Sequence, residues 1–124
     1  MINKQDYINA INQNIEMVRG DTLAFNFQLT GLGSRSAYED LLVTFAVAEH
    51  YDDVALFECT SGNGITLENY DATKDTATFS VVVTPNKTKT LDLARYYYDL
   101  QIKDNNNVIT LMRGRLTLVY DVAD

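Results

Sequence analysis

The sequence has one cysteine, one proline, one histidine and no tryptophan among its 124 residues. A single cysteine, Cys59, excludes an intrachain disulfide. A cysteine nucleophile would need a histidine and a third group beside it, and His50 is the only histidine available. We therefore expect Cys59 to be a small apolar residue in or near a strand. His50 is expected to be a solvated residue near a strand end.

Positive charge is also scarce, with ten Lys and Arg residues against seventeen Asp and Glu, for a net charge of -7. An acidic surface repels phosphate backbones, so we expect no nucleic-acid partner. No stretch approaches the roughly 18 apolar residues that a membrane helix needs. The first six residues lack the apolar segment of a secretory signal. The sequence thus predicts neither a membrane partner nor signal-directed secretion.

Motifs that bind phosphate, ligate a metal or activate a nucleophile are missing. Asp71, Thr73 and Asp75 have the spacing that opens an EF-hand loop, but position six is Thr76 and position twelve is Val82. We interpret this segment as a polar turn between strands. The sequence accordingly predicts no metal, no cofactor and no enzymatic activity.

The dominant pattern is an alternation of apolar and polar residues with a period of two. It is clearest at residues 22–30, 41–48, 76–84 and 96–103, and weaker at 14–18, 54–60 and 64–67. Strands with one wet face each are typical of an antiparallel sandwich. We predict an all-β, immunoglobulin-like antiparallel β-sandwich of about seven to nine strands in two packed sheets.

Three local features accompany the strands. Arg19-Gly20-Asp21 spells an integrin-binding tripeptide, but its place between two strands predicts a structural turn, with Gly20 supplying an unusual backbone angle. The apolar positions of the last strand change phase around Arg113-Gly114, which predicts a bulge at Gly114. Thr84 and Pro85 favour a short helical turn near residues 85–92.

The predicted domain organisation is an N-terminal arm at residues 1–13 followed by the β-sandwich at 14–124. The arm carries four apolar candidates for a partner interface: Ile2, Tyr7, Ile8 and Ile11. Two alternatives remain open, because the arm could dock on a neighbouring subunit or fold back as a short helix over one end of the sandwich. In the strand at 96–98, Tyr96 and Tyr98 are expected in the core and Tyr97 is a candidate interface residue.

Three segments carry a resemblance to a known class of proteins. They are residues 15–27, which include RGDT, then YYDLQI at 97–102, then VITLMRGRLTL at 108–118. Together they resemble small virion proteins of tailed bacteriophages, in particular the immunoglobulin-like N-terminal domain of upper baseplate and fibre-type proteins. The resemblance implies a structural protein that is made in the host bacterial cytoplasm and docks on other virion proteins, as a homo- or hetero-oligomer within the particle.

The longer members of that class often carry a C-terminal receptor-binding or fibre region, whereas this sequence ends at Asp124. We therefore expect a head, neck, or tail or baseplate accessory subunit. The alternative is a carbohydrate-binding or receptor-binding module that contacts the host surface. That alternative calls for clustered exposed aromatic residues, and the sequence contains no tryptophan.

Overall fold

The computed structural model describes residues 11–105 and 107–120, and they form an all-β protein, as predicted. Its nine strands are β1 (Ile11–Asn12), β2 (Ile15–Val18), β3 (Leu23–Thr30), β4 (Leu42–Ala48), β5 (Phe57–Ser61), β6 (Gly64–Asp71), β7 (Thr76–Val83), β8 (Arg95–Asp104) and β9 (Asn107–Val119). One short helix, α1 (Arg35–Glu39), and one 3-10 helix (Pro85–Lys87) complete the described elements.

The strands form one continuous sheet in the order β1-β9-β8-β4-β5-β6-β7-β3, and β2 follows β1 along β9. The sequence predicts two antiparallel sheets, but the hydrogen-bonded ladder is unbroken, and β1 and β2 run parallel to β9. Strands β5 and β6 are linked by a parallel bridge of two residue pairs, formed where the chain loops through Gly62. Because β2 and β3 lie at opposite ends of the strand order but are joined by one short turn, the sheet curves into a nearly barrel-shaped form.

The core follows from the alternation seen in the sequence. Every second residue of β7 is buried, and β8 buries its own alternate residues from Tyr96 to Ile102. Phe45 lies at the centre, 5.6 Å from the ring of Phe25 in an edge-on contact and 5.4 Å from the ring of Tyr98. Cys59 is buried in β5, as predicted. These contacts join β3, β4 and β8 across the interior.

The last strand contains the predicted change of phase, but the bulge lies at Leu111 and not at Gly114. Leu100 pairs with Met112 and Gln101 with Thr110, so Leu111 is the extra residue. Gly114 pairs regularly with Tyr98. Its lack of a side chain serves another purpose, since a Cβ there would lie 2.1 Å from the carbonyl oxygen of Gln13. The prediction was wrong about Gly114 because the sequence does not reveal that the β1–β2 junction runs alongside β9 and places the Gln13 carbonyl against Gly114.

The Arg19-Gly20-Asp21 segment is a tight turn, as predicted. The carbonyl of Val18 accepts a hydrogen bond from the Asp21 N–H at 3.1 Å, and Gly20 has a φ of 84°, the value of the third residue of a type II turn. Gly20 N–H also donates to the buried Thr88 hydroxyl at 2.9 Å. The turn is therefore tied to the segment that follows β7.

The predicted helical turn near 85–92 is present in shortened form. The 3-10 helix covers Pro85–Lys87, with Pro85 at its start, and hydrogen-bonded turns continue to Leu91. Arg19 Nη1 donates to the Leu91 carbonyl at 3.1 Å, so this segment and the turn before β3 support each other.

The N-terminal candidates fall largely outside the described residues. Ile2, Tyr7 and Ile8 lie outside the described residues. The backbone of Ile11 is described, and it belongs to β1 and pairs with Met112 of β9. The sheet therefore already includes the end of the predicted 1–13 arm. The open question of a docked arm or a folded-back helix stays a prediction for residues 1–10.

Candidate functional site

A groove of about 200 Å³ runs along the outer face of β4, beneath the loop formed by residues 49–56. Strand register explains its shape. Ala46 on β4 lies between Glu58 on β5 and Asp99 on β8, and Ala48 lies opposite Tyr97. Small side chains on the middle strand and longer ones on its neighbours leave a channel. We call this channel, together with residues 49–56, the β4 groove.

An aromatic cluster closes one end of the β4 groove. The rings of Tyr51 and Tyr97 lie 4.7 Å apart, and the His50 ring is 6.3 Å from Tyr97. The Arg113 guanidinium lies 4.2 Å from the centre of the Tyr51 ring, a cation–π contact that stabilises by about 0.5–1 kcal/mol at an exposed site. Tyr51 also donates a hydrogen bond to the Gly114 carbonyl at 3.1 Å. These contacts hold residues 49–56 against β8 and β9.

Three carboxylates line the β4 groove: Asp53, Glu58 and Asp99. Partial burial raises the pKa of Asp99, and the positive charge of Arg113, its cross-strand neighbour, offsets part of that rise. The lining thus offers hydrogen-bond acceptors and negative charge beside aromatic rings. A groove lined in this way can bind a ligand or a protein partner.

Exposed apolar side chains concentrate on the same loop. Within the described part of the chain, seven large apolar residues are exposed, and three of them are Tyr51 at 44%, Val54 at 89% and Leu56 at 45%. Tyr51 lines the channel itself, and Val54 and Leu56 are chain neighbours of the lining residue Ala55. Several exposed apolar residues in one short loop are typical of a site that a partner covers. The β4 groove and its loop therefore form our candidate interaction site.

The three consecutive tyrosines of β8 alternate between the core and the outer face, as the two-residue period requires. Tyr96 and Tyr98 are buried, and their hydroxyls donate to the carbonyls of Asp92 and Gln13. Burial raises the pKa of Tyr98 to about 12. Tyr97, the candidate interface residue, faces outward and lies half-buried in the β4 groove.

Cys59 and His50 do not form a reactive pair. The Cys59 thiol points into the core towards the Val82 carbonyl, and burial raises its pKa despite the positive charge of Lys87. The thiol is therefore protonated at neutral pH and is a poor nucleophile. His50 is exposed on the other side of the sheet, beside Tyr97.

The acidic segment considered as a calcium loop is occupied by internal hydrogen bonds. Asp71 accepts from the N–H groups of Thr73 and Lys74. Asp75 accepts from the Gly33 N–H and from the hydroxyls of Tyr38 and Tyr70. Burial by itself would raise the pKa of Asp75, but these hydrogen bonds outweigh it and lower the pKa. The cluster fastens α1 to the β6–β7 turn.

Sequence reasoning identified Tyr97 but missed Tyr51 and Arg113 as parts of the site. They come from a loop and from β9, far apart in the chain, and their contact depends on tertiary structure. The available signal was an apolar pair, Val54 and Leu56, in an otherwise acidic loop. Among the residues that the structure describes, no three His, Cys, Asp or Glu side chains are grouped to hold a metal ion, and no helix is long and apolar enough to cross a membrane.

Comparison with known proteins gives no further assignment. No protein-family model matches the chain, and no curated protein matches it with significant similarity.

Proposed function

We propose that this protein is a non-enzymatic structural domain of a tailed-bacteriophage virion that docks on other virion proteins through the β4 groove. The observation that carries the proposal is the grouping of Tyr51, Val54 and Leu56 on a loop that is itself anchored to the sheet. An anchored apolar loop loses little conformational entropy on binding, so its burial contributes more fully to affinity. The virion setting rests on the resemblance of three sequence segments.

We also propose that the fold is immunoglobulin-like, and the strand order supports this. In the immunoglobulin sandwich one sheet has the order A-B-E-D and the other G-F-C, with C′ added in variable-type domains. Here the described strands β3, β7 and β6 follow B-E-D, and β9, β8, β4 and β5 follow G-F-C-C′. The two-pair bridge between β5 and β6 is then the corner where the two layers join.

Two details of β8 support the same fold. Tyr96, near the start of the strand, donates from its hydroxyl to the Asp92 carbonyl at 2.8 Å, which is the geometry of a tyrosine corner. Two residues later, where an antibody domain has its second disulfide cysteine, stands Tyr98. Its ring packs on Phe45, which in turn packs on Phe25 of β3. We infer that three aromatic rings replace the disulfide and tryptophan of antibody domains.

A carbohydrate-binding function is the second candidate, because the β4 groove combines Tyr51 and Tyr97 with carboxylates and Gln101. Sugar recognition by stacking needs an open aromatic face. Arg113 occupies one face of the Tyr51 ring, and the Tyr97 ring contacts Tyr51 and lies near His50. These contacts favour a protein partner over a sugar.

Particle association tests the proposal. We expect the wild-type protein to copurify with intact particles at a fixed stoichiometry. Val54→Asp should reduce incorporation by about tenfold or more, because a charge at the centre of a desolvated contact is costly. Val108→Asp, a matched change at an exposed valine on β9, should be incorporated normally.

Two outcomes would overturn the proposal. One is the absence of the wild-type protein from purified particles. The other is equal incorporation of Val54→Asp and wild type. Binding of the isolated protein to a glycan array, abolished by Tyr97→Ala, would instead establish the carbohydrate-binding candidate.

A further inference from the structure

Strand β3 lies at one end of the sheet that residues 11–105 and 107–120 form. All eight of its residues pair antiparallel with β7. Within the residues that the structure describes, no strand pairs with the other side of β3. An open edge presents unpaired N–H and C=O groups that can accept another strand.

The inner face of β3 is also incompletely covered. Leu23, Phe25 and Phe27 point to the same side as the buried Leu29, yet all three are only half-buried. Their partners on β7 are fully buried. The apolar layer is therefore complete over β7 and open along β3, which is the arrangement expected where a strand is missing.

Nothing in β3 protects this edge. The segment LAFNFQLT contains no charged residue and no proline, and its pairing with β7 has no bulge. Charge is absent from all of residues 22–34, in a chain with ten basic and seventeen acidic residues. Proteins commonly protect exposed edges with lysine, proline or a bulge, because unprotected edges associate. The absence of all three along eight residues indicates an edge that is used.

We propose that β3 pairs antiparallel with β3 of a second copy of this chain, about a two-fold axis at Asn26. In this register Phe25 lies opposite Phe27 of the partner copy, Leu23 opposite Leu29, and Ala24 opposite Gln28. Apolar inner residues meet apolar ones and polar outer residues meet polar ones, as the pleat requires. Moving the axis to Phe27 would leave the half-buried Leu23 without a counterpart.

Electrostatics does not oppose a second copy at this edge. Two chains of net charge -7 repel each other, and the repulsion is least where neither surface carries charge. The outer residues of β7 that flank the edge, Thr78, Ser80 and Val82, are also uncharged. Pairing would continue the sheet from one copy into the next and leave the β4 groove of each copy free. This inference is therefore independent of the proposed function.

Disulfide trapping tests the register. In Asn26→Cys the two new cysteines lie directly opposite each other, within the Cα distance that a disulfide needs. Mild oxidation should give a covalent dimer about tenfold faster than it does for Thr78→Cys, the control one strand further in. The native Cys59 is buried and should not contribute. Equal rates for the two variants would overturn the proposed register.

Sedimentation equilibrium tests the association itself. We expect wild type to dimerise, Asn26→Lys to be monomeric because like charges oppose each other at the axis, and Thr78→Lys to dimerise as wild type does. Thermal melts of all three confirm folding, since both positions lie on the outer face. A monomeric wild type, or an Asn26→Lys variant that still dimerises, would overturn the proposal. So would a monomer whose β3 amides exchange slowly until residues 1–10 are deleted, because the chain's own N-terminus would then cover the edge.

Discussion

The hydroxyl of Tyr98 donates a hydrogen bond to the main-chain carbonyl of Gln13, 85 residues away in the sequence. Gln13 lies between the two short strands that run along β9, and its N–H donates to the Arg113 carbonyl at 2.9 Å. The Asn14 side chain accepts from the Arg115 N–H at 3.1 Å. This group of bonds fastens the N-terminal strands to the sheet beside Gly114.

Replacing Tyr98 with phenylalanine should leave the Gln13 carbonyl without its partner. We expect Tyr98→Phe to lower the free energy of unfolding by about 0.5–1.5 kcal/mol, the usual net contribution of a hydrogen bond. Tyr97→Phe, the adjacent outward-facing tyrosine, is the control and should have a smaller effect. Urea denaturation measures both, and equal effects would contradict the role assigned to the Tyr98 hydroxyl.

The same tyrosine makes stability depend on alkaline pH. Burial raises the pKa of folded Tyr98 from 10.0 to about 12, so the folded state favours the protonated hydroxyl. The contribution to stability is fully present below pH 10 and is lost as pH rises towards 12. Burial also raises the pKa values of Tyr70 and Tyr96, so the whole protein should lose stability in this range. Tyr98→Phe should flatten the dependence, and an unchanged slope would show that Tyr98 does not contribute to it.

Gly114→Ala should be destabilising through a steric clash, not through a change of φ. The new Cβ would lie 2.1 Å from the Gln13 carbonyl oxygen, a backbone atom that can yield only if the N-terminal strand moves. We expect a loss of about 1–3 kcal/mol, as for an overpacked site. Arg115→Ala on the same strand is the control.

A truncated chain identifies the cause of that loss. In a chain that begins at Ile15 the clashing carbonyl is absent, so Gly114→Ala should then cost little. The truncation itself should lower stability, because it removes β1 and the acceptor of Tyr98. A cost of Gly114→Ala that persists after truncation would point to β9 itself and not to the N-terminal strand.

Asp75 should make stability depend on acid pH. Burial raises its pKa, but the hydrogen bonds from Gly33, Tyr38 and Tyr70 outweigh it, so the folded-state pKa lies below the usual value of 3.8. The ionised carboxylate therefore contributes stability at neutral pH, and this is lost as pH falls below about 4 through the folded pKa. Asp75→Asn keeps a residue that tolerates the positive φ of 47° but removes the charge.

The melting temperature of Asp75→Asn should be below that of wild type at pH 7, and the two should converge as the pH is lowered. Asp40→Asn, at an exposed position after α1, is the matched control and should follow wild type. Parallel curves for Asp75→Asn and wild type would show that the carboxylate has no such role.

The stability of the Arg19-Gly20-Asp21 turn should depend on its backbone conformation and not on the charged side chain of Asp21. Gly20→Val places a β-branched residue at a φ of 84° and should cost about 1–3 kcal/mol. Asp21→Glu should leave both stability and particle association unchanged, because Asp21 is exposed. Specific integrin adhesion that Asp21→Glu alone abolishes would overturn the structural interpretation.

The local sequence pattern determined where several strands lie and which of their faces is buried. The alternation at 76–84 and 96–103 predicted β7 and β8 and which of their residues are buried, because a side chain's face in a strand depends only on its position in the two-residue period. Gly20 indicated its turn for a local reason as well, because the turn needs a residue that adopts a positive φ. The helix α1 escaped detection because it is short and owes its place to Tyr38, whose hydroxyl bonds Asp75, 37 residues on.

Tertiary structure decided the rest, because each remaining feature depends on which strands become neighbours. The phase change near the end of the sequence was visible, but its position at Leu111 follows from the pairing of Leu100 with Met112. Gly114 was recognised as unusual, yet its reason lies in a carbonyl that only the parallel pairing of the N-terminal strands brings near. The β4 groove exists because Ala46 lies between Glu58 and Asp99, and their adjacency is set by long-range strand order that no local pattern encodes.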